Sequence, residues 1–191
     1  MNIKRIIAVV NKEWKEIVRD KLFFSIFNIY ASTLSRLEFL IGKLTPYVAI
    51  SVFNSFVLYL MARFLYGAPF KGDLFFFAMV TVLYVICTTG IGLVVSTFAR
   101  TQIAAIIVTS ILTIVPAAPY SGVLIPISSL SKGAQVEAHL MPAMYYTNIV
   151  LGSFLKGTGI TILWMNVAVL AVYSSILFTT GYLLFTKRPR A

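Results

Sequence analysis

Few side chains in this sequence are equipped for chemistry. There is one histidine, His139, and one cysteine, Cys87. The acidic residues are Glu13, Glu16, Asp20, Glu38, Asp73 and Glu137. Hydrolysis by a serine or threonine nucleophile needs an adjacent base, and His139 has no G-x-S-x-G sequence to serve. A single cysteine excludes an internal disulfide and a cysteine-based metal site. Phosphoryl transfer relies on carboxylate-held metal, and the acidic residues are scattered along the chain. No G-x-x-x-x-G-K-[ST] loop is present, because Gly42-Lys43 is followed by Leu44 and lacks the earlier glycine. The expectation is a chain with no catalytic, cofactor-binding or metal-binding residues, unable to bind ATP by that route.

What surrounds those few residues is mostly apolar. Of 191 residues, 59% are hydrophobic and 12% charged, and mean hydropathy is +0.91. Soluble domains carry about 25% charged residues, so a cytosolic globule and a disordered tail are both excluded. The composition is that of an integral membrane protein. The net charge of +10 would suggest nucleic acid in a soluble protein. Here the basic residues flank apolar stretches, which makes them topology signals.

The elements follow from periodicity. In Ile3–Lys21, the residues Ile3, Ile6, Ile7, Val10, Trp14, Ile17 and Val18 share one helical face and the charges take the rest. That is an amphipathic helix suited to the membrane interface, and it lacks the unbroken apolar run of a signal peptide. Leu22–Leu34 is apolar but too short to cross a ~30 Å hydrocarbon core as a helix; it is expected to be interfacial or partly inserted, or else the stub of a span. Spans are expected near 44–66, 74–98, 103–124 and 160–185, the third broken by Pro116 and Pro119. The short connections Gly67–Asp73 and Ala99–Gln102 make neighbouring spans antiparallel. The fold class is thus an all-α polytopic membrane protein with about four transmembrane helices.

Pro119–Gly159 is too apolar for a solvated loop. LIPISSL and AMYYTNIVLGSFL are expected to be short helices dipping into the outer leaflet, an external re-entrant segment. Tyr120, Tyr145, Tyr146 and Trp164 would form an aromatic belt. Of the 16 Lys and Arg, all but Arg63, Lys71, Lys132 and Lys156 fall on one side of these spans, which orients both termini to the cytoplasm. No acidic residue lies inside an expected span, against a proton-coupled mechanism.

Two stripes of small residues, Thr88, Gly92 and Ser96 in one span and Ala105, Thr109 and Thr113 in the next, are helix-packing candidates, within the monomer or at a subunit interface. Asn54, mid-span, is expected to bond a neighbouring helix, and Cys87 to be an inert core residue.

Several motifs occur together and in order. Ser35, Arg36, Glu38, Leu40, Gly42, Lys43, Pro46 and Tyr47 match a P-x-S-R-x-E-x-L-x-G-K-x-x-P-Y pattern. Ser96, Thr97, Ala99, Arg100, Thr101 and Gln102 match an S-T-x-A-R-T-Q turn, and ARFLYGAPFKG, SGVLIPISSLSKGAQ and MPAMYYTNIVLGSFLKGTG follow in the expected places. In these features, over about nine-tenths of its length, the chain resembles the permeases of type-two ABC exporters. The resemblance implies an elbow helix and short apolar stub over 1–31, a cytoplasmic coupling segment over 32–43, and a transmembrane permease domain over 44–191. It implies that Ser35, Arg36, Glu38, Gly42 and Lys43 couple to a cytoplasmic ATP-binding-cassette ATPase. It also implies a second permease subunit, equal or different, in the cytoplasmic (inner) membrane, with no nucleic-acid partner. About two of the six usual spans and the extracytoplasmic domain are not represented. The alternative expectation is therefore a non-transporting remnant or accessory protein that associates with permease partners.

Overall fold

The structure is a computed structural model that describes residues 6–12, 36–99 and 101–184. Every regular element among these residues is helical. Residues 6–12 form a short helical stretch. Then come α1 (Arg36–Leu60, prolonged by a π-helical turn at Met61–Leu65), α2 (Leu74–Phe98), α3 (Gln102–Tyr120), α4 (Lys132–His139), α5 (Pro142–Leu151, prolonged by a π-helical turn at Gly152–Lys156) and α6 (Ile160–Leu184). Four helices are long and apolar enough to cross a membrane: Leu37–Leu65, Leu74–Phe98, Gln102–Tyr120 and Ile160–Leu184. The end of the bundle bearing the 67–73 loop is called distal here, and the opposite end proximal. The expected Leu22–Leu34 segment and most of the expected N-terminal amphipathic helix lie outside the described residues.

Local chemistry sets the helix starts. Asp73 caps α2, its carboxylate accepting from the Phe75 N–H at 2.8 Å. Thr101 caps α3 through the Ala104 N–H at 3.2 Å, so the polar turn after α2 is itself a helix-initiation signal. Ser131 caps α4 in the same way.

Two expectations need correction. The span expected to start near 44 begins earlier: the part of the expected 32–43 coupling segment that is described is helix from Arg36 onward, continuous with the span. Glu38, Phe39 and Leu40 are buried, and burial of that face carries the helix through charges that resemble a turn in one dimension. Pro46 consequently lies in the helix interior. Thr45, just before it, turns its hydroxyl back onto the Ile41 carbonyl at 2.6 Å. The third span is likewise unbroken: Pro116 and Pro119 both lie inside α3, which ends at Tyr120 and not near 124. Membrane helices accommodate proline because local side-chain hydroxyls and small adjustments satisfy freed backbone groups; Thr113 makes such a back-bond to Thr109 at 2.7 Å.

The principal packing is α2 against α6. Apolar helices gain no hydrophobic free energy by leaving lipid for each other, so close approach and hydrogen bonds hold them. A Cβ on Gly90 would stand 3.1 Å from Leu177 Cβ, and one on Gly181 would stand 2.6 Å from Leu93 Cδ2. Ser174 donates to the Leu83 carbonyl at 3.3 Å. Cys87, wholly buried, occupies the same helix.

α5 is wedged against this pair. Val80, Ile149, Leu163 and Leu170 form one buried cluster across α2, α5 and α6. Tyr146 stacks on Tyr84 with centroids 4.1 Å apart, and its hydroxyl bonds Thr81 at 3.0 Å. It therefore contributes to the core and not to the expected aromatic belt, whereas Trp164 is exposed. LIPISSL is a 3₁₀ turn over Ile127–Ser129 within irregular chain; the short helix follows it, at Lys132–His139. Pro126 and the paired serines leave LIPISSL without a continuous backbone ladder.

Candidate functional site

Of the residues singled out at the proximal end, those that are described fall on the first two turns of α1. Ser35 lies outside the described residues, and Arg36 opens the helix. Glu38 is only 5% exposed, so its carboxylate faces this protein's own chain. Lys43 is exposed. Gly42 is buried and helical, with no break in the backbone. Its significance is contact: a Cβ there would overlap the side chain of Val9, itself buried. The helical stretch 6–12 is thus seated directly on α1 at Gly42, on the turn beside Glu38, Phe39 and Leu40. This contact was not legible from spacing, because nothing in the sequence pairs Val9 with a glycine over thirty positions away.

The two small-residue stripes behave differently from α2–α6 packing. Thr88 bonds back to Tyr84 and Val85, and Ser96 bonds back to Leu93. A Cβ on Gly92 would meet nothing within 4 Å, so no described residue approaches α2 closely at that position. On α3, Ala105, Thr109 and Thr113 are half-buried. The glycines that do permit close approach, Gly90 and Gly181, were missed; the signal was present as the 4-3-4-3-4 spacing of Leu163, Val167, Leu170, Ser174, Leu177 and Gly181. Asn54, expected to bond a neighbouring helix, is exposed on α1.

At the distal end the elements are tied together. The Ser153 carbonyl accepts from the N–H groups of Lys71 and Gly72, at 3.2 and 2.8 Å. Tyr59, Phe70, Phe77 and Phe154 form a quartet of rings with centroids 5.1 to 6.0 Å apart. These rings come from α1, the 67–73 loop, α2 and the turn after α5. They fill one another's faces and edges, which is packing and not an open cage. Among the described residues no group of His, Cys, Asp and Glu is placed to hold a metal.

A long α1 with a seated N-terminal helix, followed by three more spans and a pair of short helices before the last, is the ordered motif series placed in three dimensions. Residues 27–155 match the family described as ABC-2 type transporter. The chain belongs to that family. Among curated relatives, it is 28% identical over 180 residues to the probable multidrug ABC transporter permease YbhS of Escherichia coli strain K12, covering 94% of this chain and 46% of the relative. It is 24% identical over 172 residues to the probable multidrug ABC transporter permease YbhR of the same strain, covering 90% and 46%. The inner membrane transport permease YhhJ is 23% identical over 174 residues, again covering 90% and 46%. This ABC-2 type chain thus spans about half the length of the curated relatives it matches. No solved structure matches it. It is a multi-pass membrane protein of permease kinship.

Proposed function

We propose that this protein is the transmembrane permease subunit of an ATP-binding-cassette exporter. It would move cargo across the cytoplasmic membrane with energy from a separate ATPase, alongside a second permease subunit. Family membership and the permease relatives support this reading. The single observation that carries the mechanism is the unbroken α1. From Arg36 it runs as one helix to Leu60, with no flexible joint between the proximal segment and the span. A push on the proximal turn therefore moves the span and is not absorbed by slack chain. The seat of Val9 on Gly42 makes the N-terminal helix part of the same rigid unit.

On this reading both termini and the proximal end are cytoplasmic and the distal end is external, in line with the distribution of Lys and Arg. α4 and α5 are then the external re-entrant pair. Glu38, buried, holds the coupling segment in shape, and Arg36 and Lys43 supply its positive charge to the ATPase. Charge-assisted contacts are roughly twice as strong as neutral ones. The test is Arg36→Ala combined with Lys43→Ala, co-expressed and co-purified with a candidate ATP-binding-cassette ATPase. ATPase recovery should fall while membrane abundance and orientation hold, because the N-terminal basic residues remain. Undiminished recovery at normal abundance would sink the coupling role.

A second reading, an accessory that binds permease partners without transporting, draws on the chain spanning 46% of its relatives. A full-length permease in the same purified complex, with no ATPase, would favour it.

A further inference from the structure

We infer that a water-filled vestibule, open to the external side, reaches the bilayer midplane along α4, and that Glu137 and His139 line it. The inference rests on the membrane topology proposed above, and it is independent of whether the chain transports.

The argument is one of depth. Tyr173 donates to the Leu140 carbonyl at 3.0 Å. Tyr173 stands roughly 20 Å along α6 from its external end at Ile160, at the helical rise of 1.5 Å per residue. A tyrosine ring leaning toward the helix N-terminus reaches back only a few ångströms of that. Leu140, at the junction of α4 and α5, thus lies close to the middle of a ~30 Å hydrocarbon core. The other contacts of α5 give the same scale. Its far end, Ser153, is level with the 67–73 loop, and Tyr146 is level with Thr81 and Tyr84, about 10 to 15 Å inside α2.

α4 ends beside Leu140, so its last turn is at that depth too. Its residues are not those of a lipid-facing helix. Glu137 and His139 are exposed. The Glu137 carboxylate accepts from the Tyr120 hydroxyl, and the His139 ring bonds the Gln135 carbonyl through Nδ1 at 2.7 Å. Ionisable groups at such depth face a protein interior or water, since lipid contact is too costly. The exposed side of α4 is not covered by the described residues, and water meets that demand. The exit half of the route is then wet and polar, suited to hydrated cargo and not to lipid-like molecules sliding along the helices.

The test is thiol accessibility in intact cells, on a Cys87→Ala background. Glu137→Cys, His139→Cys and Val136→Cys are compared with Val172→Cys, which is exposed on α6 at similar depth. The probe is a membrane-impermeant charged methanethiosulfonate added outside. The α4 positions should react roughly a hundredfold faster than Val172→Cys, the ratio set by the cost of bringing charge into hydrocarbon. Three α4 positions are used so that loss of one variant leaves two readings. Reaction no faster than at Val172→Cys overturns the vestibule, as does protection by a subunit packed on α4. Reaction only from the cytoplasmic side overturns it together with the topology. Normal labelling in a chain that exports nothing would refute only the transport reading.

Discussion

Replacing Gly181 with alanine should weaken the protein, and replacing Gly92 with alanine should strengthen it. Both glycines are in helix interiors, where alanine is favoured by about 1 kcal/mol. At Gly92 nothing opposes that gain, since the new methyl would meet no atom within 4 Å. At Gly181 the new Cβ would stand 2.6 and 2.9 Å from Leu93 Cδ2 and Cγ. The second atom is not the free tip of the side chain, so Leu93 must change rotamer or α2 must retreat from α6. Overpacking of this kind costs about 1–3 kcal/mol, leaving a net loss of up to about 2 kcal/mol after the helix gain. The reporter is already present: Cys87 is the sole cysteine and fully buried. Its reaction with a fluorogenic maleimide in detergent, followed against temperature, reads the opening of α2. At about 2–4 °C per kcal/mol for a chain of this size, Gly181→Ala should lower the midpoint by several degrees. Gly92→Ala should raise it slightly. Adding Leu93→Ala to Gly181→Ala should cost less than the sum of the two single changes, because the clash has been removed. A midpoint for Gly181→Ala equal to or above the parent would refute the argument that this glycine exists for close approach.

Three further outcomes are expected. Gly157 sits at φ +66° against the Lys71 backbone, 3.2 Å from where a Cβ would be, so Gly157→Ala should cost about 1–2 kcal/mol and loosen the distal clasp, seen as faster protease cleavage in the 67–73 loop. Tyr146→Phe keeps the ring stack on Tyr84 and removes the bond to Thr81; by the same cysteine assay it should lower stability by about 0.6 kcal/mol, and at most about 1.7. With Cys87 replaced, Lys71→Cys and Lys156→Cys should be labelled from outside intact cells, and labelling only from the cytoplasm would invert the proposed topology.

The legibility of this fold from sequence tracked how far local signals agreed with packing. α2 and α6 begin where expected, because Asp73 and the 157–159 glycine-containing turn mark the starts and long apolar runs follow. α1 begins earlier than its apolar run: Glu38 is buried, and a pattern built on hydropathy assigns a carboxylate to the water side. α3 passes through Pro116 and Pro119 because, in an apolar span, leaving the helix would free more backbone groups than two prolines do. The stripe at Gly92 and the contact at Gly181 show the limit of small-residue counting. Gly92 satisfies the pattern and meets no partner atom, whereas Gly181 lies between Leu177 and Phe185 and is used; only the facing helix decides.

The ring quartet at the distal end fixes where α1 can pivot. Tyr59 is clamped among Phe70, Phe77 and Phe154, about 35 Å along the helix from Arg36 and about 9 Å short of Leu65. α1 is therefore a lever with unequal arms and an aromatic fulcrum. A displacement at the proximal tip reaches the distal tip reversed in direction and reduced about fourfold. On the proposed topology and coupling, a stroke delivered by the ATPase at the proximal tip would become a smaller external movement of greater force.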